Sequence, residues 1–340
     1  MRVVAAPDKF RGTASAAAVA AAIARAAVSV GWSCDQVPVA DGGEGTIDAL
    51  GGPNRTTVVR GPLGEPVEAA WRLDRDTAII EMASASGLLL AGGAENNDPI
   101  AADTHGTGEL IRLAVESGAR RVIVGLGGSA TTDGGLGALR AMHPLQRYRA
   151  VELRVACDVR TTFVDAARTF GPQKGATAAQ VRLLENRLVR LADVYEQDHG
   201  VDVRSLARSG AAGGLAGGLA AIGAQLEDGF ALVSDEVALD EVIAGADLVV
   251  TGEGFLDDES FDGKVVGGVV ELADSLGVPV VAIVGQVIEG AGHGRSSGPE
   301  PLEVVSLVDR FGEDASMHDT VTCVESAVRA VLEERSAIGS

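Results

Sequence analysis

Hydrophobic positions along the chain change period three times, and the changes outline its organisation. Arg2-Val3-Val4-Ala5-Ala6 is a short apolar run closed by Pro7-Asp8, the pattern of a buried strand. An Ala-rich segment runs on to about Val30, with Thr13 or Ser15 placed to cap a helix. Gln36-Val37-Pro38-Val39 predicts a second strand, which ends in Asp41-Gly42-Gly43-Glu44-Gly45 and a brief helix over 46–50. The period then shortens. Segments 55–60, 66–73 and 77–82 are β-type runs separated by turns, which predicts an antiparallel meander. Thr107 caps a predicted helix over 108–117, and 121–124 is a further buried strand. From 126 to 234 the pattern is mostly helical, with one strand at 153–156 and a long polar-faced helix from 177 to about 197. Strict alternation returns at the end: strands at 247–251, 279–284 and 303–307, helices at 265–276 and from about 320 to 335, and a surface loop at 290–301.

Strands joined through helices are parallel and right-handed. The strands at 2–6, 36–39, 247–251, 279–284 and 303–307 therefore form one sheet, predicted to be α/β and flavodoxin-like, doubly wound. The domain division that follows is 1–45 plus 235–340 for this sheet, with 46–234 as an inserted second α/β domain.

Composition narrows the function classes. With 28 basic and 48 acidic residues the net charge is −20, and no Lys/Arg run offsets it, which argues against nucleic acid and anionic lipid as partners. No apolar run is long enough to span a membrane, and the first residues are too briefly apolar for a signal peptide, so a cytoplasmic protein is expected. Cys34, Cys157 and Cys323 are scattered and the five histidines form no paired motif, which leaves neither a disulfide framework nor a cysteine or histidine metal site. The 45 glycines stand out because they are clustered, and clustered glycine beside acidic residues points to ligand sites lined by backbone.

In a doubly wound sheet ligands sit beyond the carboxyl ends of the strands. Those ends carry Asp8-Lys9-Phe10-Arg11, Asp41-Gly42-Gly43-Glu44, and Thr251-Gly252-Glu253-Gly254-Phe255-Leu256-Asp257. Converging carboxylates with exposed backbone suit a metal–phosphate or general-base site, although Asp and Gly are also good turn formers. Gly125-Leu126-Gly127-Gly128-Ser129-Ala130 leads into Thr131-Thr132-Asp133-Gly134-Gly135, a strand, glycine loop and helix whose N–H groups can cradle an anion. Asp133 there can hold a cation or cap the helix. The same stretch fits a loose dinucleotide fingerprint, but it follows a meander rather than opening a βαβ unit. Lysine is scarce, so Lys9, Lys174 and Lys264 stand out as compact phosphate-binding charges. The glycines of 210–219 suit close helix packing or, alternatively, backbone contact to a ligand.

Taken in order, these motifs resemble the glycerate kinase family of the bacterial type I class, over nearly the whole chain. The segments that carry the resemblance are Ala6-Pro7-Asp8-Lys9-Phe10-Arg11-Gly12-Thr13, Ala40-Asp41-Gly42-Gly43-Glu44-Gly45-Thr46 and Thr104-His105-Gly106-Thr107-Gly108-Glu109. Gly127–Gly135, Phe170-Gly171-Pro172-Gln173-Lys174-Gly175, 210–214 and Thr251-Gly252-Glu253-Gly254 continue it in register. Departures fall at Lys9 and Arg11, at the short linker 143–149, at Arg160-Thr161-Thr162-Phe163 after Cys157-Asp158-Val159, and at Phe255.

The resemblance implies a restriction-endonuclease-like second domain and transfer of the ATP γ-phosphate to a hydroxyl of D-glycerate, with ATP and Mg²⁺ as cofactors. It implies a small-molecule partner and admits a homodimer. On that reading Gly127, Gly128, Ser129, Asp133 and Lys174 serve nucleotide phosphates, and Asp41 and Glu253 hold Mg²⁺. Lys9, Arg11, Asp41 and Glu44 meet the substrate; Asp8 or Asp257 accepts the hydroxyl proton, and Lys264 neutralises charge in the transition state. The alternatives are a catalytically impaired relative that binds a small hydroxy acid or nucleotide, and a dinucleotide-dependent dehydrogenase.

Overall fold

A computed structural model describes residues 1–261, 263–288 and 302–338, so the predicted loop at 290–301 lies outside the described residues. In chain order the strands are β1 (Arg2–Ala5), β2 (Ser33–Gln36), β3 (Arg55–Arg60), β4 (Pro66–Asp74), β5 (Thr77–Glu81), β6 (Arg121–Gly125), β7 (Glu152–Cys157), β8 (Gln225–Asp228), β9 (Leu248–Leu256), β10 (Val280–Val287) and β11 (Glu303–Ser306). They form two sheets in two compact units. Unit 1 comprises Met1–Asp41, Asp48–Leu50 and Phe230–Ser340; unit 2 comprises Gly42–Ile47 and Gly51–Gly229.

Unit 1 carries the five-stranded sheet β11-β10-β9-β1-β2, parallel throughout. This is the flavodoxin-like order, with chain progression reversing direction beside β1 and β9. Both faces are covered, as parallel sheets require. Val3, Ala5, Leu248, Val250, Val281 and Ile283 pack with the helix Ala16–Ser29 and the C-terminal helix Thr320–Ile338. Their alternates Val4, Ala6 and Val249 pack with Val265 and Val269 of the helix Val265–Ser275. Period-two alternation between two buried faces explains why these strands read as continuous apolar runs. Ser15 caps the first helix, accepting from the Ala18 N–H at 3.2 Å.

The second strand lies three residues earlier than its apolar run suggested. Ser33-Cys34-Asp35-Gln36 holds the ladder with β1, because it is an edge strand and needs little apolar surface. Val37 and Val39 still donate to the Ala5 and Pro7 carbonyls, at 2.8 and 3.1 Å, but Pro38 has no N–H to continue the ladder.

Unit 2 holds the mixed sheet β3-β4-β5-β6-β7-β8, antiparallel up to β5 and parallel from there on. The meander appears where the short turns placed it. Strand β8 interrupts the stretch expected to be mostly helical; as a short, half-buried edge strand it has no hydrophobic alternation to announce it. The core gathers Trp71, Ile80, Leu110, Val122, Val124, Phe163, Leu188 and Tyr195. The glycine cluster at 210–218 packs backbone against backbone: a Cβ on Gly213 would stand 2.0 Å from the Thr131 carbonyl oxygen.

Candidate active site

In unit 1 the strand-end carboxylates come together. Asp8 follows β1, Asp41 follows the extension of β2, and Glu253 lies in the second half of β9. Asp8 is 7% exposed, and its Oδ1 accepts from the Lys9 backbone N–H at 2.7 Å, with the Lys9 ammonium at 3.7 Å. Burial, reinforced by the charge of Asp41, pushes the Asp8 carboxyl up to about 6 against the pull of Lys9. Glu253 is pushed up to about 7, first by burial and then by the charges of Asp8 and Asp257, while Ser260 and Lys264 act in the opposite direction. Its Oε1 is buried with no hydrogen-bond partner. Carboxylates that feel one another's charge in a poorly solvated place are costly when ionised, and a cation relieves that cost.

The neighbours refine the roles. Asp257 Oδ1 accepts from the backbone N–H and hydroxyl of Ser260, at 2.9 and 3.1 Å, so that carboxylate is engaged in capping its own turn. Lys264 stands at the N-terminal boundary of the helix Val265–Ser275, inside the field of Glu253. Arg11 is exposed on the Asp8 loop, which Gly254 brings close: a Cβ on Gly254 would lie 3.1 Å from the Arg11 amide nitrogen.

Unit 2 assembles the other predicted group at the carboxyl ends of its parallel strands. The loop after β6 is pinned along its length. Leu126 N–H donates to the Gly42 carbonyl at 3.0 Å, Leu88 N–H to the Gly128 carbonyl at 2.8 Å, and Ala130 N–H to the Ser86 carbonyl at 3.0 Å. Gly127 has no room for a side chain, since a Cβ there would stand 2.7 Å from the Gly43 Cα. Among the described residues no acceptor takes the N–H groups of Gly127, Gly128 or Ser129. Three successive free amides of this kind at a strand end can receive an anion.

Asp133 and Lys174 face inward instead. Asp133 accepts from the Thr104 backbone N–H and hydroxyl and from the Gly135 and Gly137 N–H groups, at 2.8–3.0 Å, so it caps the helix Leu136–Met142 and ties it to Thr104. Burial raises its carboxyl above the usual range against those four donors. Lys174 is 3% exposed, its ammonium donating to the Thr131 carbonyl at 2.6 Å. Burial lowers it to about 7, opposed by the charge of Asp133.

Glu44 is exposed in the loop Gly42–Ile47. That loop is held by a residue the motifs passed over: Glu81, which ends β5, accepts from the Gly45 and Ile47 N–H groups through Oε1, at 2.9 Å each. A carboxylate closing an apolar strand was the available signal. Ser260 and Asn97 carried none, being ordinary turn and cap residue types.

Among the described residues no group of three His, Cys, Asp or Glu is placed to hold a metal ion alone. Mg²⁺ takes one or two carboxylates and completes its octahedron with water and substrate phosphate, so Glu253, with its orphaned Oε1, fits it as a hard oxygen donor.

Known proteins align with this chain over nearly its full length. The sequence model of the glycerate kinase family matches residues 3–144 and 142–335, breaking at the short linker. Glycerate 2-kinase of Escherichia coli K12 is 40% identical over 376 aligned positions, covering 98% of each chain. Glycerate kinase of Bacillus subtilis is 39% identical over 327, covering 84% of this chain and 85% of its own. The crystal structure of putative glycerate kinase 2 from Salmonella typhimurium LT2 superposes with a TM-score of 0.84 at 34% identity, covering 99% of this chain and 98% of that one. No helix among the described residues is long and apolar enough to cross a membrane. Matches of this extent and identity carry both units, and the chain belongs to the glycerate kinase family.

Proposed function

We propose that the protein is a cytoplasmic kinase that transfers the γ-phosphate of ATP to a hydroxyl of D-glycerate, giving a phosphoglycerate and ADP. The observation that carries the reading is the Asp8–Glu253 pair, a buried and a half-buried carboxylate at the strand ends of unit 1 whose ionisation burial disfavours, in a chain of this family. Phosphoryl transfer needs positioning and charge neutralisation more than covalent chemistry. Glu253, with Asp41 beside Asp8, would hold Mg²⁺, which supplies charge neutralisation on the phosphates when bound. Gly127, Gly128 and Ser129 donate their amides to phosphate oxygens. Lys9 and Arg11 meet the substrate carboxylate, Glu44 meets its hydroxyls, and Lys264 neutralises charge in the transition state. Of the two carboxylates considered as proton acceptor, Asp8 is the better, because Asp257 is already held by Ser260.

The test is release of ADP from the purified protein with Mg-ATP and D-glycerate, with the product read by phosphorus NMR. Glycerate-dependent ADP and one phosphoglycerate isomer are expected. Background release across a panel of small hydroxy acids would overturn the proposal.

A further inference from the structure

Lys174 was singled out as a phosphate-binding charge, yet its position suits a different task. It closes the short turn Pro172–Lys174 inside unit 2, and its ammonium reaches the Thr131 carbonyl, in the middle of the glycine loop's return. The backbone of the same residue is tied to the same loop: Asn97 Nδ2 donates to the carbonyls of Lys174 and Ala130, at 2.9 and 3.0 Å. Asn97 and Lys174 therefore fasten two successive carbonyls, Ala130 and Thr131, from one side. Gly134 N–H donates to the Gly213 carbonyl at 3.0 Å from another segment. These ties hold the carbonyls that follow Gly127, Gly128 and Ser129, whose own amides have no acceptor among the described residues.

The surroundings are polar but closed. Thr131 and Thr132 are buried to 0% and 1% exposure, and their hydroxyls, like Asn97 Oδ1, have no hydrogen-bond partner. An ammonium has three donors, and one is engaged with Thr131. Buried polar atoms of this kind are the places ordered water fills.

We propose that Lys174 is a positioning residue, a buried cation that anchors the Thr131 carbonyl and so sets the direction of the Gly127–Ser129 amides without touching the nucleotide. The proposal rests on the reading of those amides as the phosphate site, but its test does not. Hydrogen exchange is compared between the wild type and Lys174→Met, both free of nucleotide. Exchange at Ala130 and Gly134 should accelerate at least tenfold in the variant, with the core amides of β6 and β7 unchanged. Calorimetry with ATP and with adenosine is the second readout. Unchanged loop exchange together with a loss of affinity for ATP alone would mean that Lys174 is a phosphate ligand, and would overturn the proposal. If Lys174→Met does not fold, Asn97→Ala decides, since it removes the companion tie. Faster exchange confined to 128–136 and 172–176 supports the anchor, and uniform or unchanged exchange refutes it. A failed glycerate kinase assay would leave these exchange results standing.

Discussion

Replacing Glu253 by Gln should make the metal-free protein more stable while removing its turnover. The folded protein ionises Glu253 at about 7 rather than its ordinary 4.5, because burial and the charges of Asp8 and Asp257 disfavour the carboxylate. The ionised form is then less favourable in the folded than in the unfolded chain by about 3 kcal/mol. A raised carboxyl binds its proton in the folded state over a pH range where the unfolded chain has released it, so wild-type stability falls as pH rises through that range. Below 4.5 both states are protonated and Gln offers no electrostatic advantage. The gap opens to about 1 kcal/mol near pH ~5, reaches about 3 kcal/mol near pH ~8, and is level above that. Urea denaturation of both proteins in chelator, across this pH range, measures it. Adding Mg²⁺ should then raise the wild-type midpoint and leave the variant's unmoved. A variant less stable than wild type at the alkaline end, or a gap independent of pH, would refute the account of a strained carboxylate pair.

Substitutions at three further positions probe the loops. Asp133→Ala strips four hydrogen bonds from a buried cap and should cost roughly 3 kcal/mol or more in denaturant unfolding; a loss under about 1 kcal/mol would mean the cap is dispensable. Glu81→Gln keeps an oxygen for the Gly45 and Ile47 N–H groups, whereas Glu81→Ala does not, so kcat should stay within about threefold of wild type in the first and fall about tenfold or more in the second, about 1.4 kcal/mol. Equal losses in both would show that charge, not loop anchoring, is what Glu81 supplies. Gly127→Ala forces a methyl to within 2.7 Å of the Gly43 Cα and should destabilise by about 1–3 kcal/mol, read as a lower melting temperature with an equal drop in kcat/KM for ATP. An unchanged melting temperature would show that the two backbones separate freely.

Hydrophobic pattern located the elements whose burial decides their existence. Both faces of β1, β9 and β10 are covered, so their apolar runs could not be mistaken, and the parallel order followed from the intervening helices. The pattern misplaced β2 and passed over β8 because both are edge strands: their ladders are made by N–H and C=O groups that every residue carries, and Ser33 or Gln225 serves as well as valine. The same division separates the legible from the illegible in the candidate site. Asp8, Asp41 and Glu253 were placed by topology, since strand ends are fixed once the sheet order is fixed.

Orientation was another matter. Whether Asp133 faces a cation or its own helix depends on where the Thr104 hydroxyl and the Gly135 and Gly137 amides lie, and no spacing rule encodes a partner 29 residues away. Scarcity drew attention to Lys174, but scarcity does not separate a lysine aimed at ligand from one aimed at a carbonyl. Burial favours the second for Lys174. A surface phosphate site keeps its lysine hydrated until the ligand arrives, whereas Lys174 has exchanged that hydration for the Thr131 carbonyl and the polar atoms beneath the loop. The lowering of its ionisation to about 7 is the physical mark of that exchange. On the anchoring proposal, an ammonium kept in such a place serves the loop it holds, and the unengaged amides of Gly127, Gly128 and Ser129 are what the loop then presents.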